Sequence, residues 1–244
     1  MSETSNYGNE AELTRPIEAS PDKPIVLTSN SYLDKLTEMI QNTPFDWDYI
    51  KAKADAQNFN ESGNRVGKSA EIHLHHVLQK ASQLEDFQKR LIISPVPKET
   101  TTQHFHFHSR KGSFIAKDLD TQQDIAEYDA ITQVDGLPVV WEVKTGKRNR
   151  SSKKKGDLNA ALTNEKVNAI LAPLREFFNT DAFGYVIITM PENIFDMSSF
   201  QNGFRQRGGI LIGLPTNYTE FQQNADIPLE DKLVQLQNKY NQEK

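Results

Sequence analysis

Cysteine is absent from this 244-residue chain, which excludes disulfides, thiolate zinc sites and cysteine nucleophiles. No apolar run approaches the ~20 residues that a membrane-spanning helix needs, so no membrane partner is expected. The first residues, MSETSNYGNEAELTRP, hold neither a basic cluster nor an apolar stretch; no secretory signal is read there, and a cytoplasmic setting is expected. Positive charge is in deficit too: 28 Lys and Arg stand against 33 Asp and Glu, a net charge of -5. The surface as a whole is not that of a polyanion binder, so any such contact must come from a local patch. The composition, 25% charged and 36% hydrophobic, suits one well-buried domain with a tail or appendage.

One stretch organises the rest. Residues 127–146 read EYDAITQVDGLPVVWEVKTG, two apolar β-branched runs around Asp135-Gly136. Asp-Gly between such runs is a strong hairpin signal. With Asp135 and Gly136 as the central turn residues, Val134 faces Leu137, Thr132 faces Val139 and Ala130 faces Trp141. By the same symmetry Asp129 faces Glu142 on a non-hydrogen-bonded pair, with Cα atoms ~4.5 Å apart and both carboxylates on one face. Lys144, two residues on, shares that face. Opposed carboxylates repel, and a hard divalent cation between them removes the cost. A neighbouring lysine then has a task, orienting or deprotonating a water or neutralising a phosphate.

An Asp on one strand followed by Glu-x-Lys on the next, here Asp129 and Glu142-Val143-Lys144, resembles the PD-(D/E)XK nuclease superfamily. Tyr128 stands where proline often precedes the aspartate, a departure the superfamily tolerates. The local form, Glu127-x-Asp129 and then an apolar strand ending in Glu-Val-Lys, looks most like the Holliday-junction-resolvase and RecB-like branches. The resemblance covers at most residues 63–214. It implies an α/β fold with a restriction-endonuclease-like αβββαβ core, a mixed central sheet flanked by helices. It also implies Mg²⁺ or Mn²⁺ held by Asp129, Glu142 and the Val143 carbonyl, with Glu71 contributing from the helix before the sheet. Lys144 would position or deprotonate the attacking water. DNA is the substrate that the resemblance favours, with RNA not excluded. Duplex- and junction-cutting enzymes of this type commonly act as homodimers.

In chain order, residues 1–24 are polar, contain three prolines and read as a disordered tail. Residues 25–62 form an accessory helical segment. Tyr32, Leu33, Leu36, Met39 and Ile40 have helical spacing after a candidate N-cap, Ser31, and a second short helix holds Phe45, Trp47, Tyr49 and Ile50. GNRVGKS at 63–69 tempts toward a phosphate loop, but three residues separate its glycines where the Walker pattern needs four. A helix is expected from Lys68 to about Leu84, with Leu74, Leu78 and Ala81 on its apolar stripe and Glu71 beside them. His75, one turn beyond Glu71, reads as a polar boundary residue, as do His73 and His76. Leu91 to Val96 is a short strand. His104-Phe105-His106-Phe107-His108 alternates strictly, placing imidazoles on one strand face and phenylalanines on the other.

Beyond the hairpin, residues 144–155 (KTGKRNRSSKKK) carry seven bases and no acid. Lys147, Arg148, Arg150, Lys153, Lys154 and Lys155 are candidates for phosphate contacts, which hold a nucleic acid without reading its sequence. Asp157 is a candidate cap for a helix carrying Leu158, Leu162, Ala169 and Ala172, which Pro173 should kink or end; Lys166 on that helix is placed near the site by the resemblance. Phe183 to Met190 reads as a central strand covered on both faces, and Ile210 to Leu214 as another. Arg205 and Arg207 are assigned to the intervening loop. Residues 63–214 are thus taken as the nuclease-like domain, and 215–244 as a helical extension carrying Leu229, Leu233 and Leu236. The expected function is metal-dependent hydrolysis of phosphodiester bonds in DNA, by an endonuclease rather than an exonuclease. The alternatives are a non-cleaving nucleic-acid-binding module on the same fold and a zinc hydrolase built on His104 and His106.

Overall fold

The structure is a computed structural model and describes residues 24–56, 65–110, 113–146, 158–194 and 199–224. A two-residue strand β1 (Val26–Leu27) leads into helix α1 (Ser31–Asn42). The cap of α1 is Asn30, not Ser31: its extended backbone frees the side-chain oxygen to accept from the N–H groups of Tyr32 and Leu33 at 3.1 and 2.8 Å. Helix α2 (Trp47–Ala56) follows where a helix was expected, with Asp46 accepting from the Tyr49 N–H. Helix α3 (Arg65–Ser82) buries Ala70, Leu74, Val77, Leu78 and Ala81, an i, i+4, i+7 stripe. From Arg65 onward the GNRVGKS stretch is therefore helix, not a phosphate-cradling loop.

Strands β2 (Leu91–Ile93), β3 (Thr100–Thr101), β4 (Phe105–Arg110), β5 (Ser113–Asp118), β6 (Asp124–Tyr128), β7 (Ala130–Val134) and β8 (Leu137–Lys144) come next. Then follow α4 (Leu158–Ala161), α5 (Asn164–Phe178), β9 (Ala182–Thr189), α6 (Pro191–Ile194), α7 (Ser199–Gln206), β10 (Ile210–Gly213) and α8 (Tyr218–Asn224). They build two sheets. The larger is mixed, in the order β2-β7-β8-β9, with β2, β7 and β8 antiparallel and β8 parallel to β9. The far edge of β9 is shared by β1 along its start and β10 along its end, both parallel to it. The smaller sheet, β3-β4-β5-β6, is antiparallel and was not foreseen, because residues 113–118 carry a lysine and an aspartate that mask a short strand.

The hairpin forms in the predicted register. Val134 pairs with Leu137, Thr132 with Val139 and Ala130 with Trp141, around Asp135 (φ 48°) and Gly136 (φ 83°). Both turn residues are left-handed, as a type I′ turn requires. Inside the ladder the fully buried Trp141 donates its indole N–H to Thr132 Oγ1 at 2.9 Å. Thr132→Val would leave that donor dry and unpaired, and should cost ~1–3 kcal/mol. Chemical denaturation should show a lower midpoint at an unchanged m-value; an unchanged midpoint would refute the expectation.

Alternation along β8 and β9 sends side chains to two cores. Val139, Trp141, Val143, Val186 and Ile188 pack with α1 and α3, together with Phe221 of α8. Val140, Tyr185 and Ile187 pack with α5, the inner face of the small sheet and Phe204 of α7. Burial of β9 on both faces is the arrangement its unbroken apolar sequence predicts. Helix α5 does not end at Pro173 but runs past it, and it ends where Asn179 turns left-handed at φ 50°. Its cap is Thr163, whose hydroxyl accepts from the Lys166 N–H at 3.3 Å, while Asp157 lies outside the described residues. Arg205 stands on α7 rather than in a loop, and Arg207 is a structural pin, donating to the carbonyls of Leu162 and Gly203 at 2.7 and 3.1 Å. Leu229, Leu233 and Leu236 lie outside the described residues, as does the tail at 1–23. No described helix is long and apolar enough to cross a membrane.

Candidate active site

Asp129 marks a corner. Strand β6 belongs to the small sheet and β7 to the large one, and the single residue between them, Asp129, is bent out of both ladders. Tyr128 stays behind, its hydroxyl donating to the Ile170 carbonyl at 2.9 Å, while Ala130 already pairs with Trp141. The expected rung between Asp129 and Glu142 therefore does not form. Instead the Asp129 carboxylate accepts from the backbone N–H of Val143 at 2.6 Å. The side chain thus replaces the missing ladder bond and still reaches the end of β8 where Glu142 sits.

Glu142 occupies the face of β8 that carries Val140, with Tyr185 and Ile187 beside it on β9. Its side chain is 5% exposed and forms an ion pair with Lys144, itself 24% exposed. One oxygen of Glu142 meets the lysine; the other, Oε2, is buried without a hydrogen-bond partner. Burial disfavours the Lys144 ammonium, but the charges of Glu142 and Asp129 outweigh it and hold its pKa above the ordinary lysine value. Burial also pushes the Asp129 carboxyl up to about 7, reinforced by the negative charges of Glu142 and Glu71 and opposed by Lys144 and the Val143 N–H. Near neutrality Asp129 is therefore poised between its acid and its anion.

Glu71 stands on α3, four residues before His75, near enough for its charge to act on Asp129. Its carboxylate pairs with Lys68 at 2.7 Å, one turn back on the same helix. His75 was read as a bland boundary residue, yet its Nε2 lies 2.9 Å from the Asp129 carbonyl. A carbonyl can only accept, so this nitrogen carries the proton and the tautomer is set. The i, i+4 spacing from Glu71 is the sequence signal that placed His75 on this side of α3. The buried hydroxyls of Tyr128 and Tyr185 were missed altogether; burial and the nearby Glu142 charge push both phenols well above their ordinary pKa.

Among the described residues no three His, Asp or Glu side chains are gathered closely enough to hold an ion between them. What the corner offers is smaller: the buried Glu142 carboxylate with one oxygen lacking a partner, the half-buried Asp129 carboxylate, and main-chain carbonyls. That donor set suits a hard cation of the Mg²⁺ kind, which takes one or two carboxylates and keeps waters for the rest. The histidine strand offers less. His104 lies just before β4 and is tied to Glu176 of α5 at 2.9 Å, which raises its pKa. His106 is engaged with Thr101 at 3.0 Å and Glu99 at 3.4 Å, and its ring stacks on His108. Phe107 faces the core as alternation predicted. His104 and His106 thus have separate polar partners rather than a common centre, so the zinc alternative gains no support from them.

The basic candidates Lys147, Arg148, Arg150, Lys153, Lys154 and Lys155 lie outside the described residues, although β8 ends at Lys144 and leads toward them in the chain. Lys166 is exposed on the first turn of α5. Comparison with models of known protein families, with curated proteins and with solved structures finds no match.

Proposed function

We propose that the protein is a divalent-metal-dependent nuclease that hydrolyses phosphodiester bonds, with DNA as substrate and an endonucleolytic mode. The observation that carries this reading is the corner at Asp129. A buried carboxylate, a half-buried one and a lysine lie together where one oxygen has no partner and one acid titrates near neutrality. Buried anions so arranged are costly unless a cation completes them. The order α3, β2, β7, β8, α5, β9 also supports a restriction-endonuclease-like αβββαβ core, with the small sheet inserted between β2 and β7.

In this reading Asp129, Glu142 and the Val143 carbonyl hold Mg²⁺ or Mn²⁺, with Glu71 assisting directly or through a water. The bound ion supplies acidification of a water and charge stabilisation at the phosphate. Lys144, kept cationic by Glu142, orients the attacking water and faces the phosphate charge. The Val143 N–H fixes the Asp129 carboxylate, and His75 fixes the backbone that bears it. Basic residues at 147–155 would hold the nucleic-acid backbone, and a homodimer would present two such sites to a duplex.

The test is cleavage of supercoiled plasmid, linear duplex, single strands and a four-way junction with Mg²⁺ or Mn²⁺. Wild type should cut at least one of them, and Glu142→Ala and Lys144→Ala should each lose ~100-fold or more in rate. Binding without cutting by wild type would favour the non-cleaving module instead, and neither binding nor cutting would end the nuclease reading.

A further inference from the structure

Two buried polar side chains converge on the short stretch that follows Glu142, a third braces one of them, and catalysis as outlined above assigns them nothing. Thr189 at the end of β9 and Gln201 on α7 are fully buried, and Asn193 on α6 is 3% exposed. Burying such groups is costly unless their hydrogen bonds are made. Here each of the three donates to a main-chain carbonyl. Thr189 lies opposite Lys144 on the last rung of the parallel ladder, and its hydroxyl donates to the Lys144 carbonyl at 2.5 Å. The Asn193 amide nitrogen donates to Thr189 Oγ1 at 2.9 Å and to the Gly146 carbonyl at 3.1 Å. Gln201 donates to the backbone carbonyl of Asn193 at 2.9 Å, tying α7 to α6.

Donor roles in this chain are determined. Lys144 O and Gly146 O can only accept, so the threonine proton goes to the first and the asparagine must offer N–H to the second. Once the threonine proton is committed, its oxygen is left as the acceptor for the other Asn193 hydrogen. The bonds therefore run in one direction, from α6 through β9 to β8. They grip the chain at Lys144 and again at Gly146, on both sides of the buried Thr145. Glycine at 146 would otherwise leave this exit with wide conformational freedom.

We infer that Thr189 and Asn193 are positioning residues for the site: through the Lys144 and Gly146 carbonyls they set where Lys144 stands and anchor the chain that continues into the basic run. This rests on the nuclease reading for its catalytic half, while the anchoring half stands on the hydrogen bonds alone. Neither side chain is placed in contact with substrate, and Gln201 braces Asn193 from behind.

Thr189→Val keeps the side-chain shape and removes the hydroxyl; Asn193→Leu removes the amide; Thr189→Ser restores the hydroxyl and serves as the conservative control. Two readouts are taken on the full chain, amide hydrogen exchange at Thr145 and Gly146 and steady-state cleavage of the best substrate with Mg²⁺. Thr189→Val and Asn193→Leu should exchange about tenfold faster at those amides, with the rest of β8 unchanged. Both should lose about tenfold in kcat with KM within about twofold, and Thr189→Ser should recover most of both effects. Unchanged exchange in both variants overturns the inference whatever the cleavage shows. Faster exchange with undiminished kcat overturns the positioning role. If wild type cuts nothing, the nuclease reading and the catalytic half fall together, and the exchange data decide whether the anchor stands.

Discussion

Asp129→Asn should raise the melting temperature of the metal-free protein at pH 8 while abolishing cleavage. The folded-state pKa of Asp129 is pushed up to about 7 by burial and by the Glu142 and Glu71 charges. A carboxyl with a raised folded pKa binds its proton more tightly in the native state than in the unfolded chain. Stability therefore falls as pH rises from the ordinary carboxylate range, near 4, to about 7, and is level above that. Taken at face value the shift corresponds to at most ~4 kcal/mol, and partial contact with water reduces the expected share to ~2 kcal/mol. Asparagine cannot ionise, yet its side-chain oxygen can still accept from the Val143 N–H. The gain should thus be ~4–8 °C at pH 8 in a chelator and vanish near pH 4, as read by calorimetry across that range. A loss of stability at pH 8, or a gain of equal size at both ends, would show that Asp129 carries no such strain. A stabilised but inactive variant is the behaviour of a site where function is maintained against stability.

The contrast between Asp129 and the rest of the hairpin shows what was legible in the chain. Local chemistry specifies the Asp135-Gly136 turn, and period-2 alternation then dictates every rung from Val134–Leu137 to Ala130–Trp141. Symmetry fails one residue further, because Tyr128 is drawn into the small sheet by the Ile170 carbonyl and by packing against Phe114. Both partners are distant in sequence, so no local pattern announces them. The same distinction separates Leu74, Leu78 and Ala81, whose helical spacing marked them as core, from Asn193, whose three neighbours in chain order give no hint that it bonds Gly146. Arg207 was assigned to a loop and is a brace for Leu162, since an exposed and a pinned arginine are indistinguishable in sequence. Asp129, Glu142 and Lys144 could be singled out as candidates because chemistry restricts which residues suit a cation; the backbone supports around them could not, because hydrogen-bonding side chains of several kinds can hold a backbone.

Lys144→Met should have the largest destabilising effect of any substitution at the site, and divalent metal should largely reverse it. Lys144 is the cation paired with Glu142, whose side chain is 5% exposed and already has one oxygen without a hydrogen-bond partner. Removing one member of a buried pair strands the other, typically at ~3–5 kcal/mol. We expect ~3 kcal/mol here, because Lys144 is 24% exposed and water can enter its place. The drop in melting temperature should be ~6–12 °C in a chelator at pH 8. Glu142→Gln combined with Lys144→Met removes both charges and should recover most of the loss, giving a coupling of ~2 kcal/mol in a double-mutant cycle. Millimolar Mn²⁺ should then raise the melting temperature of Lys144→Met more than that of wild type, since the ammonium no longer competes for Glu142, and should leave the double variant nearly unmoved. If Lys144→Met is as stable as wild type without metal, the ion pair is a solvated surface contact. If it is unstable and Mn²⁺ does nothing, the two carboxylates are not a cation site. Destabilisation with selective rescue is the pattern expected of a corner that holds one positive charge too few until a metal binds.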